Sequence, residues 1–369
     1  MARKIFIAAT GQNCGKTTTS LSLMHLAKKK YDRVGFIKPL GPKLINYKGR
    51  DVDMDAALIA KVYGLDQDLE LMSPVVLHPD TTRKVLAGEI SRESLMEQAK
   101  EAFAIMDEKY DFLIIEGAGH SGVGAVVGLN NAVIAQMLGA PVMMVAGGGI
   151  GNVIDAVHLN LALFREAGAK VVGILPNKLF AEKRERTLNY LRMSFGREGM
   201  AVVGGFNFSP ILAHPTLRHV ANVLGASVLG AKMRATKVQS SEICHHIQLG
   251  AASCQRVIDI LKKSTLLLVT GSRDELLVTL ASLYHIHEYR QKLAGVLITG
   301  TSDISPMTQK IIDDSDIPYI RCPELTANVF STLMDDVSKI TADDNQKITL
   351  VQSLADKEID FEAIDALLD

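Results

Sequence analysis

The chain has 369 residues, of which 47% are apolar and 22% are charged, so its composition is that of a folded globular protein and excludes a largely disordered one. At about 100–200 residues per domain, this length predicts two domains. Forty basic and forty-one acidic residues give a formal net charge of −1. We therefore expect no nucleic acid and no anionic membrane among the partners.

Membrane and export signals are missing from the sequence. No segment approaches the roughly 20 consecutive apolar residues of a membrane span. The residues before the first apolar strand, Met1–Lys4, lack the apolar core and cleavage site of a signal peptide. Cys14, Cys244, Cys254 and Cys322 show no metal-ligand spacing, which suits a reducing compartment. These features predict a cytoplasmic protein.

Residues 1–222 alternate short apolar runs with longer amphipathic stretches. The runs read as strands buried on both faces, which is typical of a parallel sheet with helices on both sides. They are Lys4–Ala9, Val34–Lys38, Phe112–Glu116, Val142–Ala146, Val171–Leu175 and Ala201–Phe206. The predicted helices include Thr17–Lys30, Arg92–Glu108, Asn152–Ala167 and Glu182–Phe195. This alternation predicts a doubly wound, mostly parallel α/β domain.

A second, smaller α/β domain is predicted over residues 223–342, where the pattern restarts. Its predicted strands are Thr265–Thr270, Ala294–Thr299 and Pro318–Arg321. Its predicted helices are Ser253–Lys263, Asp274–Tyr284, Pro306–Asp314 and Glu324–Met334. Residues 343–369 are acidic with spaced apolar positions, and we expect a helical tail that docks on a domain or on a second subunit.

A glycine-rich turn follows the first predicted strand and opens a helix. Its residues are Thr10, Gly11, Gln12, Asn13, Cys14, Gly15, Lys16, Thr17 and Thr18. Such a turn directs several backbone N–H groups at a polyphosphate, with a lysine on the β- and γ-phosphates and a threonine hydroxyl on Mg²⁺. The usual first glycine is replaced by Thr10. Gly11 stands where ParA/MinD partition ATPases carry an additional signature lysine, which argues against that class. We expect residues 11–18 to bind ATP, in a fold of P-loop NTPase type.

Charged residues end two neighbouring strands of the predicted sheet. Lys38 ends the second strand, in the crevice where open α/β sheets bind ligands, although a solvated strand-end lysine is equally ordinary. Glu116 ends the third strand, where P-loop proteins hold a metal, and Gly117 then lets the backbone approach the phosphates. Asp51, Asp53 and Asp55 alternate before a helix, where acidic residues also serve the helix dipole.

Together these motifs resemble dethiobiotin synthetase and its relatives, which include the synthetase part of cobyrinic acid a,c-diamide synthase and the N-terminal region of long bacterial phosphate acetyltransferases. The matching motifs are residues 10–17, Lys38-Pro39, Asp55-Ala56, Glu116–Gly119, residues 147–152 and residues 175–178. The resemblance implies Mg²⁺ at Thr17, Asp55 and Glu116, and Lys38 at the substrate or γ-phosphate. It also implies a homodimer, and Asn177 at the adenine edge, for which a strand-end amide has the required donor and acceptor.

The second domain resembles the DRTGG domain that follows this region in phosphate acetyltransferases. The motif is reduced to Thr270–Glu275, without its double glycine, which puts an anion site at that turn in doubt. The pairs His245-His246 and His285/His287 lack Cys or acidic partners at ligand spacing, so we interpret them as ordinary histidines rather than metal ligands.

Two functions stay open at this point. In one, an ATP-dependent synthetase with Lys16 and Lys38 as catalytic residues transfers the γ-phosphoryl group to a small carboxylate or carbamate, with an amine as a further substrate class. In the other, the pocket senses nucleotide and the second domain transmits its occupancy. Acetyl transfer is not expected, because the sequence ends where the acetyltransferase domain begins in those relatives. Leu40–Lys43 replaces the small polar residues of dethiobiotin synthetase and argues against its substrate.

Overall fold

A computed structural model describes residues 1–230 and 242–369, which form two compact units. The first unit comprises Met1–Phe208 together with Asn345–Asp369, and the second comprises Ser209–Asp344. The units therefore divide at other positions than the predicted domains 1–222 and 223–342. Residues 345–369 are part of the first unit.

The first unit alternates strands with helices. Its strands are β1 (Arg3–Ala9), β2 (Val34–Ile37), β3 (Leu40–Gly41), β4 (Leu44–Tyr47), β5 (Arg50–Asp53), β6 (Val75–Val76), β7 (Phe112–Glu116), β8 (Val142–Gly147), β9 (Val171–Asn177) and β10 (Ala201–Val202). Its helices up to Phe208 are α1 (Lys16–Ala27), α2 (Met54–Tyr63), α3 (Leu69–Met72), α4 (Thr81–Leu86), α5 (Arg92–Lys109), α6 (Asn131–Met137), α7 (Ile150–Ala167) and α8 (Arg184–Gly196). Short 3₁₀ turns lie at Asp66–Asp68, Ala125–Val127 and Ala181–Lys183.

Six of these strands form one sheet in the order β10-β9-β8-β1-β7-β2, and every neighbouring pair is parallel. The predicted doubly wound sheet is confirmed. Ile7 of β1 is paired with Glu116 of β7, and Ile37 of β2 with Ile115 of β7. Because parallel strands end at a common edge, the turn after β1, Lys38 and Glu116 meet there.

Two local predictions in the first unit need correction. The strand predicted over Ala201–Phe206 is wrong beyond Val202, since Gly204 has a φ of +126° and its backbone lies against that of Glu358. The β4–β5 hairpin was not predicted. Its turn residues Lys48 and Gly49 have φ of +52° and +82°, the backbone that a tight two-residue hairpin needs.

The C-terminal residues return to the first unit as α16 (Asn345–Glu358) and α17 (Phe361–Ala366). Helix α16 packs on α1, and Asp356 contacts His25 at 3.1 Å and Lys29 at 2.5 Å. The ring of Phe361 lies 5.6 Å from that of Phe112, between centroids. Helices α16 and α17 therefore pack against α1, the helix that follows the glycine-rich turn.

The second unit is a smaller sheet in the order β11-β15-β14-β13-β12, in which β11 runs antiparallel to its neighbour and the other pairs are parallel. The strands are β11 (Val228–Leu229), β12 (His246–Leu249), β13 (Thr265–Thr270), β14 (Leu293–Thr299) and β15 (Tyr319–Cys322). The helices are α9 (Pro210–Ala213), α10 (Leu217–Val223), α11 (Cys254–Asp259), α12 (Asp274–Leu283), α13 (His287–Lys292), α14 (Pro306–Asp314) and α15 (Thr326–Asp335). Apolar clusters cover both faces of this sheet, one against α11, α12 and α14 and the other against α10 and α15. Within the described ranges, no helix is both long and apolar enough to cross a bilayer.

Candidate functional site

The glycine-rich turn between β1 and α1 contains two residues with a positive φ. Asn13 and Gly15 have φ of +56° and +104°. A side chain at Gly15 would collide with the Nδ2 atom of Asn177, so this position needs glycine for two separate reasons. Within the turn, the Oγ1 atom of Thr10 lies 3.7 Å from the Sγ atom of Cys14, at hydrogen-bond distance for sulfur.

Lys16, the first residue of α1, reaches across to the loop after β7. Its Nζ atom donates a hydrogen bond to the Gly119 carbonyl oxygen at 2.6 Å, and the side chain is buried. Burial lowers the pKa of Lys16, Lys38 lowers it further, and Glu116 opposes both. The ammonium therefore lies buried beside the loop after β7, with a carbonyl oxygen as its hydrogen-bond acceptor.

Lys38 lies in a cage of carboxylates, and its side chain is only 4% exposed. Its Nζ atom is 3.2 Å from Asp53 Oδ1 and 3.3 Å from Glu116 Oε1, and it also donates a hydrogen bond to Asp55 Oδ2. Burial acts to lower the pKa of Lys38, but Glu116, Asp55 and Asp53 outweigh it and raise that pKa above the usual range. Lys38 is therefore charged and fully paired, not a solvated strand-end lysine.

Two of these carboxylates, Asp55 and Glu116, accept hydrogen bonds from hydroxyl groups of helix α1. Thr17 Oγ1 donates to Asp55 Oδ1 at 3.1 Å, and Ser20 Oγ donates to Glu116 Oε2 at 2.6 Å. Burial raises the pKa of Glu116. The positive charge of Lys38 acts to lower this pKa, and the negative charge of Asp55 acts to raise it. Each carboxylate thus bridges Lys38 and the phosphate-loop helix.

In the sequence, Asp53 stands out only as one of three alternating acids. The residue is completely buried and begins α2, accepting from the backbone N–H of Asp55 at 2.9 Å. Burial raises the pKa of Asp53, and Lys38 counteracts this. The ordinary interpretation of these acids in the sequence is a favourable interaction with the helix dipole, and nothing in their spacing indicated the contact between Asp53 and Lys38.

Two buried asparagines hold the loops around Lys16. Asn131 donates to the carbonyl oxygens of Ala118 at 2.7 Å and His120 at 2.8 Å, and accepts from the Ala118 N–H at 2.9 Å. Asn160 donates to the Thr10 carbonyl oxygen at 3.2 Å and accepts from the Ser121 N–H at 3.3 Å. Because amides supply both donors and acceptors, they fix the irregular backbone on both sides of the crevice. Neither residue was predicted from the sequence.

Asn177 lies beside the phosphate loop with its amide already engaged. Its Nδ2 donates to the Cys14 carbonyl oxygen at 2.7 Å, and its Oδ1 accepts from the Lys178 N–H at 2.8 Å. The amide thus holds the loop through one donor and one acceptor bond, and its contact with an adenine edge stays a prediction. Gly117 packs tightly, since a side chain there would meet Asn131 Oδ1 at 2.6 Å.

The structure therefore brings Lys16, Thr17, Lys38, Asp55 and Glu116 to one edge of the sheet. Gly11, Gln12, Asn13, Cys14, Gly15 and Thr18 lie in or directly beside the turn. In the described part of the chain, no group of three or more His, Cys, Asp and Glu side chains has a metal-binding arrangement. A hydroxyl and two carboxylates from Thr17, Asp55 and Glu116 are nevertheless the hard oxygen donors that Mg²⁺ prefers when water and phosphates complete its shell.

In the second unit, the turn that carries the reduced motif is held to the loop after β12 by the Arg273 side chain. Arg273 donates to the carbonyl oxygens of Gly250 at 2.9 Å and Ala252 at 3.2 Å and pairs with Glu275. This guanidinium is therefore used to hold two strand-end loops together. Burial lowers the pKa of His245, and its electrostatic interactions with His246 and Lys263 lower it further.

Comparison with known proteins agrees with this architecture. The family model AAA_26, described as an AAA domain, matches residues 3–231, and the DRTGG domain model matches residues 219–335. A phosphate acetyltransferase from Nitratidesulfovibrio vulgaris is 26% identical over 371 residues, covering 98% of this chain and 51% of that protein. The chain thus spans about half the length of the phosphate acetyltransferases that it matches.

Two further relatives match about half of the chain. ATP-dependent dethiobiotin synthetase BioD of Methanocaldococcus jannaschii is 30% identical over 177 residues, covering 47% of this chain and 78% of that enzyme. Cobyrinic acid a,c-diamide synthase from Mycobacterium smegmatis, solved with ADP and magnesium, has a TM-score of 0.38 at 16% identity, over 57% of this chain and 88% of that chain. The chain therefore belongs to the AAA_26 family, among the relatives of dethiobiotin synthetase, and carries a DRTGG domain after its P-loop domain.

Proposed function

We propose that this chain binds Mg-ATP in the crevice between the turn after β1 and the loop after β7, and that occupancy of the site serves regulation. The observation that carries the proposal is the meeting of Lys16, Thr17, Asp55 and Glu116 at one sheet edge, with Thr17 and Asp55 in direct contact at 3.1 Å. Without these partners, the turn after β1 would be an ordinary glycine-rich turn and would not support nucleotide binding.

Charge balance supports a divalent cation beside the phosphates. Asp53, Asp55, Glu116 and Lys38 together carry a charge of −2 when ionised. Magnesium at Thr17, Asp55 and Glu116 would balance that charge and supply electrostatic stabilisation of the β- and γ-phosphate oxygens. Lys16 would then be free to pair with phosphate, which is a stronger acceptor than its present carbonyl partner.

Regulation is favoured over turnover by the state of Lys38. An anionic second substrate needs a cation that it can reach, whereas Lys38 is 4% exposed and bound to three carboxylates. The DRTGG match over residues 219–335 and the similarity of nearly the whole chain to part of the phosphate acetyltransferases support a nucleotide-sensing role.

An ATP-dependent synthetase that phosphorylates a carboxylate or carbamate is the second candidate. It is supported by the 30% identity to dethiobiotin synthetase, and it requires Lys38 to leave at least one of its carboxylate partners before the ammonium can neutralise the charge of a transferred phosphoryl group. A homodimer, which rests on the resemblance, and a cytoplasmic location, which rests on the sequence features given above, belong to either proposal.

Turnover separates the two candidates. ADP production by the whole chain is measured with Mg-ATP alone and with a panel of small carboxylates and amines. The regulatory proposal expects ATP to bind with no stimulation by any of these compounds. Stimulation of ADP release more than about tenfold, a lowering of the barrier by about 1.4 kcal/mol, would make the synthetase the correct function.

A further inference from the structure

We infer that Asp53 is a positioning residue, which keeps the Lys38 ammonium in place when Asp55 and Glu116 turn to a divalent cation. The inference rests on the proposed Mg-ATP site and assigns a task to a residue that the metal does not need. Lys38 has three carboxylate partners, and two of these are the candidate metal ligands. The third partner, Asp53, would then hold the ammonium in position.

Asp53 is held by main-chain groups on the side away from α1. Its Oδ1 accepts from the Asp55 N–H at 2.9 Å, and its Oδ2 accepts from the Lys43 N–H at 3.2 Å. Its own N–H donates to Ser73 Oγ at 2.9 Å. The backbone of Gly41 packs closely against Asp53, since a side chain at Gly41 would meet Asp53 Cβ at 2.6 Å.

Asp55 and Glu116 have different second partners. Their remaining oxygens accept from the hydroxyls of Thr17 and Ser20, both on the phosphate-loop helix. These two carboxylates therefore face the phosphate side of the cage, whereas Asp53 faces the hairpin side. A cation bound beside the phosphates would be held by Asp55 and Glu116, and Asp53 would remain paired with Lys38.

Without Asp53, Lys38 would compete with the divalent cation. Its remaining carboxylate partners in the cage would be Asp55 and Glu116, and a buried ammonium without a counter-ion is costly. The negative charge that attracts the divalent cation would also fall by one. Both effects weaken the dependence of ATP binding on magnesium, while binding of ATP without metal would be little changed.

The test is Asp53→Asn, because asparagine begins a helix as well as aspartate does and has nearly the same shape. ATP binding to the whole chain is measured by calorimetry with Mg²⁺ and with EDTA. We expect the ratio of the two affinities to fall about tenfold or more, with the affinity in EDTA within about twofold of the wild type. The matched control is Asp51→Asn, an exposed aspartate of the same strand, which should leave the ratio unchanged.

Lys38→Met supplies the second arm, because the inference requires Asp53 to act through Lys38. In that background, Asp53→Asn should alter the Mg²⁺ ratio less than about twofold, and the double variant should fold even if Asp53→Asn alone does not, since the pair is removed together. An unchanged ratio in Asp53→Asn, or an equal loss in both backgrounds, overturns the inference. Failure of the wild-type chain to bind ATP at all would instead overturn the proposed function.

Discussion

Thr17 and Asp55 join the phosphate-loop helix to the start of α2 through a hydrogen bond of 3.1 Å from hydroxyl to carboxylate. Asp55 also binds the Lys38 ammonium, so one carboxylate contacts groups from two different elements of the crevice. A carboxylate prearranged in this way would need little reorganisation to serve as the proposed metal ligand.

Lys16→Ala should abolish the stabilisation of the protein by Mg-ATP, because the loop would lose its lysine. The measurement is the midpoint of thermal unfolding with and without Mg-ATP. Lys28→Ala is the control, since Lys28 is exposed at the far end of the same helix. An undiminished Mg-ATP shift in Lys16→Ala would show that the nucleotide binds elsewhere.

Gly15→Ala should destabilise the protein more than a positive φ alone explains. Gly168 has a φ of +74°, and no described atom lies within 4 Å of the position that a β-carbon would take there, so Gly168→Ala measures the backbone cost, about 1–2 kcal/mol. Gly15 carries that cost and also the collision with Asn177. Urea unfolding of both variants gives the comparison. Adding Asn177→Ala to Gly15→Ala should recover part of the lost stability. Equal losses in Gly15→Ala and Gly168→Ala would contradict the close packing of Gly15 against Asn177.

Asn131→Ala should lower the free energy of unfolding by about 3 kcal/mol, because it leaves buried backbone groups of the loop after β7 without partners. The same loop carries the carbonyl oxygen that binds Lys16, so we also expect weaker ATP binding. Denaturant unfolding measures the first effect and calorimetry the second. Asn46→Ala, on the exposed hairpin, should cost less than about 0.5 kcal/mol.

Asp365→Asn should weaken the attachment of α17 at neutral pH. The carboxylate is buried and bound to Arg3 at 2.5 Å, Lys30 at 2.8 Å and Tyr31 at 2.9 Å. Burial acts to raise the pKa of Asp365, but the hydrogen bonds from Lys30, Tyr31 and Arg3 outweigh it and lower the pKa below the ordinary 3.8. The charged form is therefore favoured by folding.

A carboxylate with a lowered pKa contributes stability above its unfolded-state value and loses it as pH falls through the folded-state value. We expect Asp365→Asn to cost about 2 kcal/mol at pH 7 and the difference from the wild type to shrink below pH 3.8, the unfolded value. Unfolding curves from pH 7 to pH 3 measure this. The control is Asp369→Asn, which changes an exposed partner of Arg3 and should lower the free energy of unfolding much less. A difference between Asp365→Asn and the wild type that is the same at all pH values would contradict the lowered pKa of Asp365.

The edge of the sheet that holds the site was predictable from sequence. Continuous apolar runs identified β1, β2 and β7, and parallel strands must end together, so Lys38 and Glu116 were expected at the same edge as the Gly-Lys-Thr turn. The assignment of Thr17, Asp55 and Glu116 to a metal remains a prediction. What the sequence could not indicate was that Lys38 lies among the carboxylates and is fully paired.

The missed features depend on contacts between distant parts of the chain. Asp53 meets Lys38 only because the hairpin of residues 44–53 folds back, and a Lys48-Gly49 turn was the one local signal for it. Asn131 acts on a loop more than ten residues earlier, and no local pattern marks that bond. The return of α16 to α1 joins residues more than 300 positions apart, beyond any pattern of spacing.

The most direct test of the Mg-ATP site is calorimetric titration of ATP into the whole chain and into Asp55→Asn, each with Mg²⁺ and with EDTA. We predict that the wild type binds ATP at least tenfold more tightly with Mg²⁺ and that Asp55→Asn loses this difference, as expected when one of two metal carboxylates is removed. Equal wild-type affinity with and without Mg²⁺, or no binding of ATP in either condition, would contradict the account.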